Sequence, residues 1–79
     1  MPNPMHDPRY SVYRALLIEL RERKALTQVE VATRLDKPQS YVSKYERGER
    51  RLDIIEMIDV ATALEADPIT VLHELITKL

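Results

Sequence analysis

Hydrophobic and polar positions recur with a helical period along most of the 79-residue chain. From about Arg9 to about Lys24, apolar residues are spaced three and four positions apart, as on one face of an amphipathic helix. The members of this stripe are Val12, Tyr13, Leu16, Leu17 and Leu20. Alternating runs of β-branched residues, which are typical of strands, are missing from the sequence. The pattern therefore predicts an all-α chain.

Capping signals divide the middle of the chain into two further helices. Thr27 and Glu30 have the spacing of a capping box, which predicts that a second helix starts there. Pro38 disfavours helical geometry in the residue before it, so the second helix is short. A third helix is predicted from about Gln39 to Arg47. Gly48, the only glycine, stands where a helix C-terminus favours a left-handed residue.

The same signals predict a fourth and a fifth helix near the C-terminus. Asp53 and Glu56 repeat the capping-box spacing and open a helix that runs to about Leu64. Asp67 followed by Pro68 gives an N-cap and a proline in the first helical position. We therefore predict one five-helix domain over residues 9–79. Residues 1–8 contain three prolines, which cannot propagate a helix, and we interpret them as a flexible tail.

Length and composition exclude several classes of protein. A chain of 79 residues holds one small domain, so no large multidomain enzyme is expected. The absence of cysteine excludes disulfides and thiolate metal sites, and no uncharged apolar run is long enough to span a membrane. No secretory signal is evident in the first residues. These features predict a cytoplasmic protein that does not associate with membranes.

The net charge of −1 conceals an uneven distribution along the chain. Residues 34–51 carry six basic and three acidic side chains, whereas residues 52–79 carry one basic and six acidic side chains. A basic middle segment beside an acidic end indicates that one face of the domain meets an anionic partner.

The predicted third helix has a polar face of unusual composition. At about 100° per residue, this face holds Gln39, Ser40, Ser43, Lys44 and Arg47 and contains no acid. A solvated helix face usually mixes Glu with Lys, whereas amides, hydroxyls and cations can donate to phosphates and base edges. With the second helix before it, the segment has the helix, turn, helix order of a DNA-binding motif.

The residues of this segment also resemble those of a known family. The resemblance is carried by Leu20-Arg21, Leu26-Thr27-Gln28, Val31-Ala32, Leu35 and Gln39-Ser40-Tyr41-Val42-Ser43-Lys44-Tyr45-Glu46-Arg47-Gly48. This pattern, within the stretch from Tyr13 to Leu72, is similar to that of the phage-repressor, Cro and Xre family of helix-turn-helix DNA-binding proteins. The resemblance implies a five-helix, lambda-repressor-like domain whose helices 2 and 3 form the helix-turn-helix.

The resemblance also implies roles for individual residues. Gln28 would donate to a DNA phosphate and steady Gln39, which would read a base, and Thr27 would lie at the interface beside Gln28. The implied groove-facing residues are Gln39, Ser40, Ser43 and Lys44, and the implied backbone contacts are Gln28, Tyr41, Arg47, Arg50 and Arg51. For Tyr41, packing against the second helix is an equally weighted alternative. Arg21 and Glu46 match positions that form a buried ion pair between the first and third helices.

The chain departs from the family at its turns. Ala25 and Asp36 stand where the family often has glycine, so these turns must form without the residue that tolerates them best. Pro38 replaces a small N-cap residue before the third helix.

Apolar residues in the last two helices exceed what one small core can cover, which predicts a homodimer. The candidate interface residues are Ile55, Ile58, Ile69, Leu72, Leu75, Ile76 and Leu79. The alternative for the last helix is that it closes the monomer core. A two-fold dimer would place its recognition helices about 34 Å apart, one turn of DNA.

The functional hypothesis is a sequence-specific regulator of transcription that binds double-stranded DNA, and we expect a repressor. The alternative is an antitoxin-type module that binds a partner protein, a toxin, and also regulates its own operon. An enzyme is not expected, because no catalytic set of side chains is apparent. His6 and His73 lack the neighbours of a metal site, so neither a metal nor a cofactor is expected.

Overall fold

The structure, a computed structural model, describes residues 7–79. Its helices are α1 (Pro8–Arg23), α2 (Gln28–Leu35), α3 (Gln39–Arg47), α4 (Ile54–Ala63) and α5 (Pro68–Lys78). The described residues contain no strand, so the all-α prediction is confirmed. The helix α1 starts one residue earlier than expected, because the Asp7 side chain accepts from the Arg9 N–H as its N-cap. Of the predicted tail, residues 1–6 lie outside the described residues.

The helix starts follow the capping signals of the sequence. Thr27 Oγ1 accepts from the Glu30 N–H at 3.1 Å, and Glu30 Oε1 accepts from the Thr27 N–H at 3.0 Å. Asp53 and Glu56 form the same reciprocal pair at the start of α4. Pro38, before α3, makes no side-chain cap. Each capping box satisfies two backbone donors that the helix itself leaves unpaired.

The core is assembled mainly from α1 to α4. Its fully buried large side chains are Leu16, Leu17, Val31, Val42, Tyr45, Val60, Leu64 and Val71. The helices α2 and α3 pack closely on one another, and α1 packs against α3. Val71 is the one residue of α5 that is fully buried. Because α5 contributes so little to the core, most of its apolar surface stays exposed.

Between residues 7 and 79, three turns place residues other than glycine in the left-handed region of backbone space. Ala25 has φ 54°, Asp36 has φ 55° and Glu65 has φ 58°. The turns at Ala25 and Asp36 are those where the sequence lacks the family's glycine, whereas Glu65 carried no such signal. Gly48, with φ 79°, ends α3 as predicted. A left-handed conformation costs an L-residue about 1–2 kcal/mol, so these turns lower the stability of the fold.

Ala25→Gly is therefore expected to stabilise the domain. Relief of the backbone strain outweighs the greater chain entropy of an unfolded glycine, and we expect a net gain of about 0.5–1 kcal/mol. Because Ala25 is exposed, little packing is lost. Urea unfolding followed by circular dichroism measures the change. Ala15→Gly, at an exposed position inside α1, is the control and should destabilise by about 1 kcal/mol. If both variants stabilised the domain, or both destabilised it, backbone strain at Ala25 would be excluded.

Candidate nucleic-acid interface

The helix α3 presents its acid-free face to solvent. Val42, Tyr45 and Glu46 are its buried residues. The opposite side, called here the recognition face, consists of Gln39, Ser40, Ser43, Lys44 and Arg47. All of these are exposed except Ser43, which is half-buried. The recognition face therefore offers amide, hydroxyl and cationic groups to an external partner.

An ion pair fixes α3 to α1. The Nε atom of Arg21 donates to Glu46 Oε2 at 2.7 Å, and its Nη2 donates to Oε1 at 3.2 Å. Arg21 Nη1 also donates to the Leu26 carbonyl at 2.8 Å. The hydrogen bonds that Arg21 donates to Glu46 raise the pKa of Arg21. With 17% of the Arg21 side chain and 5% of the Glu46 side chain exposed, the pair is nearly buried. The pair links α1 to α3, which are the two helices that the family resemblance implied it would join.

Glu46 also sets the orientation of Gln28. The Gln28 Nε2 donates to Glu46 Oε1 at 2.9 Å. A carboxylate can only accept, so the Gln28 amide must turn its NH₂ group inward and its oxygen outward. That oxygen lies 3.4 Å from the Nε2 of Gln39. Gln39 thus keeps its own oxygen and a second N–H for an external ligand, which is the pair of groups that adenine matches.

Three arginines expected at the DNA backbone have partners within the domain. Arg47 Nη2 lies 2.6 Å from Glu49 Oε2. Arg51 Nη1 donates to the Tyr10 hydroxyl at 2.7 Å, and its Cζ lies 5.0 Å from the centre of the Tyr10 ring. Neither partner was predicted from the sequence. Tyr10 is 41 residues from Arg51, and no spacing rule connects them.

The third arginine, Arg50, has the most contacts. Its Nη2 donates to Glu56 Oε2 at 2.6 Å, and its Cζ lies 4.5 Å from the centre of the Tyr41 ring. Glu56 was recognised only as a capping residue from the sequence. The hydrogen bonds from Arg50 and from the Asp53 backbone lower the pKa of Glu56 to about 2.

Tyr41 is half-buried, and its ring packs against neighbouring side chains. Its ring meets the Tyr45 ring edge-on, with centroids 5.9 Å apart, and Lys37 Nζ lies 5.7 Å from its centroid. The Tyr41 hydroxyl donates to Glu56 Oε2 at 3.4 Å. Burial raises the pKa of Tyr41. Its packing partners lie in α3 itself and in the segments on either side of it, and the phosphate contact stays a prediction.

A second exposed surface is apolar and lies on α4 and α5. We call it the α4/α5 apolar surface, and it comprises Ile54, Ile55, Ile58, Ile69, Leu72, Ile76 and Leu79, with exposed fractions from 40% to 78%. Two residues differ from the expected interface. Leu75 is half-buried and packs against the core, whereas Ile54, which was not in the expected set, is exposed. Exposed apolar patches of this kind mark interaction sites.

Residues 7–79 contain neither a metal site nor a membrane-spanning helix. Within that range, no group of three or more His, Asp or Glu side chains could hold a metal ion. No helix in the same range has the length and apolar character to cross a membrane.

The fold and the recognition face together define a helix-turn-helix protein. Comparisons with known proteins agree, because the helix-turn-helix family model matches residues 17–69. No curated protein matches the sequence. The chain belongs to the Xre-type helix-turn-helix family of DNA-binding transcription regulators.

Three solved structures illustrate the relationship. An XRE-family like protein from Pseudomonas syringae pv. tomato str. DC3000 is 44% identical, with a TM-score of 0.87 over 92% of this chain and 89% of that chain. The restriction-modification controller protein C.AhdI from Aeromonas hydrophila is 31% identical, with a TM-score of 0.74 over 82% and 98%. The clp gene regulator ClgR from C. glutamicum is 27% identical, with a TM-score of 0.78 over 90% and 92%.

Proposed function

We propose that this protein is a sequence-specific repressor that binds double-stranded DNA as a homodimer, with α3 in the major groove. The observation that carries the proposal is the outward, acid-free recognition face of α3, held in place from behind by the Arg21–Glu46 pair. A major groove about 12 Å wide admits one α-helix. The similar proteins described as controller and gene regulator support a role in transcription.

The proposal divides the interface into two groups of residues. Gln39, Ser40, Ser43 and Lys44 discriminate between bases, with Gln39 suited to adenine and Lys44 able to reach the acceptors of guanine. Phosphate contacts come from the side chains of Arg47, Arg50 and Arg51. Gln28 contributes through its backbone N–H at the start of α2, because its side-chain NH₂ group is turned toward Glu46. Thr27 and Tyr41 lie beside these contacts. The phosphate contacts supply most of the affinity and its salt dependence.

Dimerisation through the α4/α5 apolar surface completes the proposed regulator. A two-fold axis would set two copies of α3 about 34 Å apart, on the two half-sites of a pseudo-palindrome. Bound at a core promoter or at its own operator, the dimer would block transcription by occupying the DNA.

Selection of bound duplexes from a random pool tests this function. The purified protein is incubated with the pool at a stated salt concentration, because affinities without it have no meaning. We expect two inverted half-sites whose centres are separated by about one helical turn. A pool that shows no enrichment over repeated rounds would refute sequence-specific binding.

Lys44→Ala is expected to relax the base preference within each half-site. Loss of one base contact lowers discrimination by about 1–3 kcal/mol at that position, and the selected consensus should lose one conserved base pair. Arg50→Ala is the matched variant: it should weaken binding to all duplexes and reduce the salt slope by about 1. An unchanged consensus for Lys44→Ala would remove Lys44 from the reading group.

A second candidate function is the antitoxin-type module. The observation that favours it is the α4/α5 apolar surface within a segment, residues 52–79, that carries six acidic side chains and one basic. A basic partner protein with an apolar patch would fit that surface. Co-expression with the product of a neighbouring gene tests it: a stable complex that disappears on Ile55→Glu would support the module, and separate elution of the two proteins would refute it.

A further inference from the structure

Arg50 is held more firmly than an exposed arginine usually is. Its Nη2 donates to Glu56 Oε2 at 2.6 Å and its Nη1 donates to the Arg51 carbonyl at 3.1 Å. The guanidinium also lies over the Tyr41 ring, 4.5 Å from its centroid. An acceptor on either side and an aromatic face thus fix both the position and the plane of the guanidinium.

Glu56 itself has little freedom to move. Its Oε1 accepts from the Asp53 N–H at 2.9 Å, as part of the capping box of α4. Its Oε2 accepts from Arg50 and from the Tyr41 hydroxyl. Because both oxygens are engaged, the carboxylate connects the start of α4 to Tyr41 in α3 and to Arg50 in the segment after α3. The low pKa of Glu56 keeps it charged throughout the neutral range.

We propose that Glu56 is a positioning residue for DNA binding, which orders the Arg50 guanidinium so that its remaining N–H groups meet a phosphate without further loss of freedom. This inference rests on the proposed DNA-binding function. It assigns to an acidic residue near the interface a favourable effect on the binding of a polyanion.

Two opposing effects decide whether Glu56 strengthens or weakens the binding of DNA. The carboxylate repels the phosphate, but the positive charge of Arg50, which is 2.6 Å from Glu56, lies between them and offsets that repulsion. Ordering acts in the other direction, because a free arginine side chain loses most of its rotamer freedom when it binds, among the largest such losses of any residue. A group that is already ordered before binding avoids that loss. We infer that ordering is the larger effect.

Glu56→Gln separates the two effects. Glutamine at this position still closes a capping box, so the helix start is kept, while the charged hold on Arg50 is lost. The affinity for the selected duplex is measured for this variant by fluorescence anisotropy. We expect binding about threefold to tenfold weaker on all duplexes, with the same base preference, although the variant carries one negative charge less. Asp59→Asn makes the same change of charge one turn further along α4, at an exposed position, and should bind slightly more tightly than the unmodified protein.

A double-mutant cycle with Arg50→Ala tests whether Glu56 acts on DNA binding through Arg50. In the Arg50→Ala background, Glu56→Gln should weaken binding no further. Glu56→Gln binding as tightly as Asp59→Asn would overturn the inference, because repulsion would then be the larger effect. Equal weakening with and without Arg50 would also overturn it, since Glu56 would then act through the fold. Failure of the unmodified protein to bind any duplex would instead refute the DNA-binding function itself.

Discussion

Glu46→Gln is expected to lower the free energy of unfolding by about 3 kcal/mol. The substitution leaves Arg21 almost buried without an anionic partner, and removing one member of a buried pair costs about 3–5 kcal/mol. We place the effect at the lower end because 17% of the Arg21 side chain reaches water. A single amide oxygen must also replace two carboxylate oxygens, which accept from Arg21 and from Gln28. Urea unfolding followed by circular dichroism measures the loss.

Glu49→Gln provides the matched control. Glu49 pairs with Arg47 on the surface, where the two side chains are 55% and 61% exposed. Exposed pairs contribute between about 0 and 1 kcal/mol, so this variant should unfold close to the unmodified protein. A loss for Glu46→Gln no larger than that for Glu49→Gln would show that the Arg21–Glu46 pair does not hold α3 in place.

Local chemistry made most of the fold predictable. Each helix start except that of α3 has a side chain that caps the backbone, and the capping residues Thr27, Asp53 and Asp67 were recognisable from their neighbours alone. The end of α3 was equally predictable, because Gly48 adopts the left-handed geometry that glycine tolerates best. The capping residues and their partners are within three or four positions of each other, so helix ends could be predicted from neighbouring residues without a structure.

The turn at Glu65 shows where such prediction ends. Glu65 adopts φ 58° although nothing in its side chain favours a left-handed conformation. Its carboxylate pairs with Arg34, which also donates to the Ala63 carbonyl at the end of α4. Those contacts join residues about thirty positions apart, and they add to the local backbone hydrogen bonds that close the turn, from the Glu65 N–H to the Thr62 carbonyl and from the Ala66 N–H to the Ala61 carbonyl. Without a glycine at this position, the sequence did not indicate where the left-handed residue would fall.

The candidate interface was predictable in composition but not in its internal pairing. Helical period alone separated the recognition face of α3 from its buried side. The pairing of Arg50 with Glu56, by contrast, depends on side-chain conformations between two segments. The family resemblance implied that Arg50 contacts a phosphate, and the capping pattern predicted that Glu56 caps α4. Only the structure shows that the Glu56 carboxylate both caps α4 and binds Arg50. Leu75 turned inward for a similar reason, since the packing of α5 against α1 and α4 decides which of its leucines is covered.

Ile76→Glu is expected to abolish dimer formation and to weaken binding to a two-half-site duplex by on the order of 100-fold. Ile69, Leu72 and Ile76 follow one another along the outer side of α5 and are exposed in the monomer. A carboxylate in that stripe would be buried without a partner in the proposed dimer, at a cost that the interface cannot offset. The monomer should still fold, because Ile76 is 60% exposed and contributes little to the core.

The matched control is Thr77→Glu, which adds the same charge to the adjacent position on the polar side of α5. This variant should stay dimeric in analytical ultracentrifugation and bind the two-half-site duplex nearly as well as the unmodified protein. Binding to a duplex with one half-site distinguishes the mechanism further. Because α3 is untouched, Ile76→Glu should bind the single half-site as the isolated monomer of the unmodified protein would, and the large loss should appear only where two half-sites are joined. A dimeric Ile76→Glu variant, or equal losses on both duplexes, would exclude α5 as the contact between subunits.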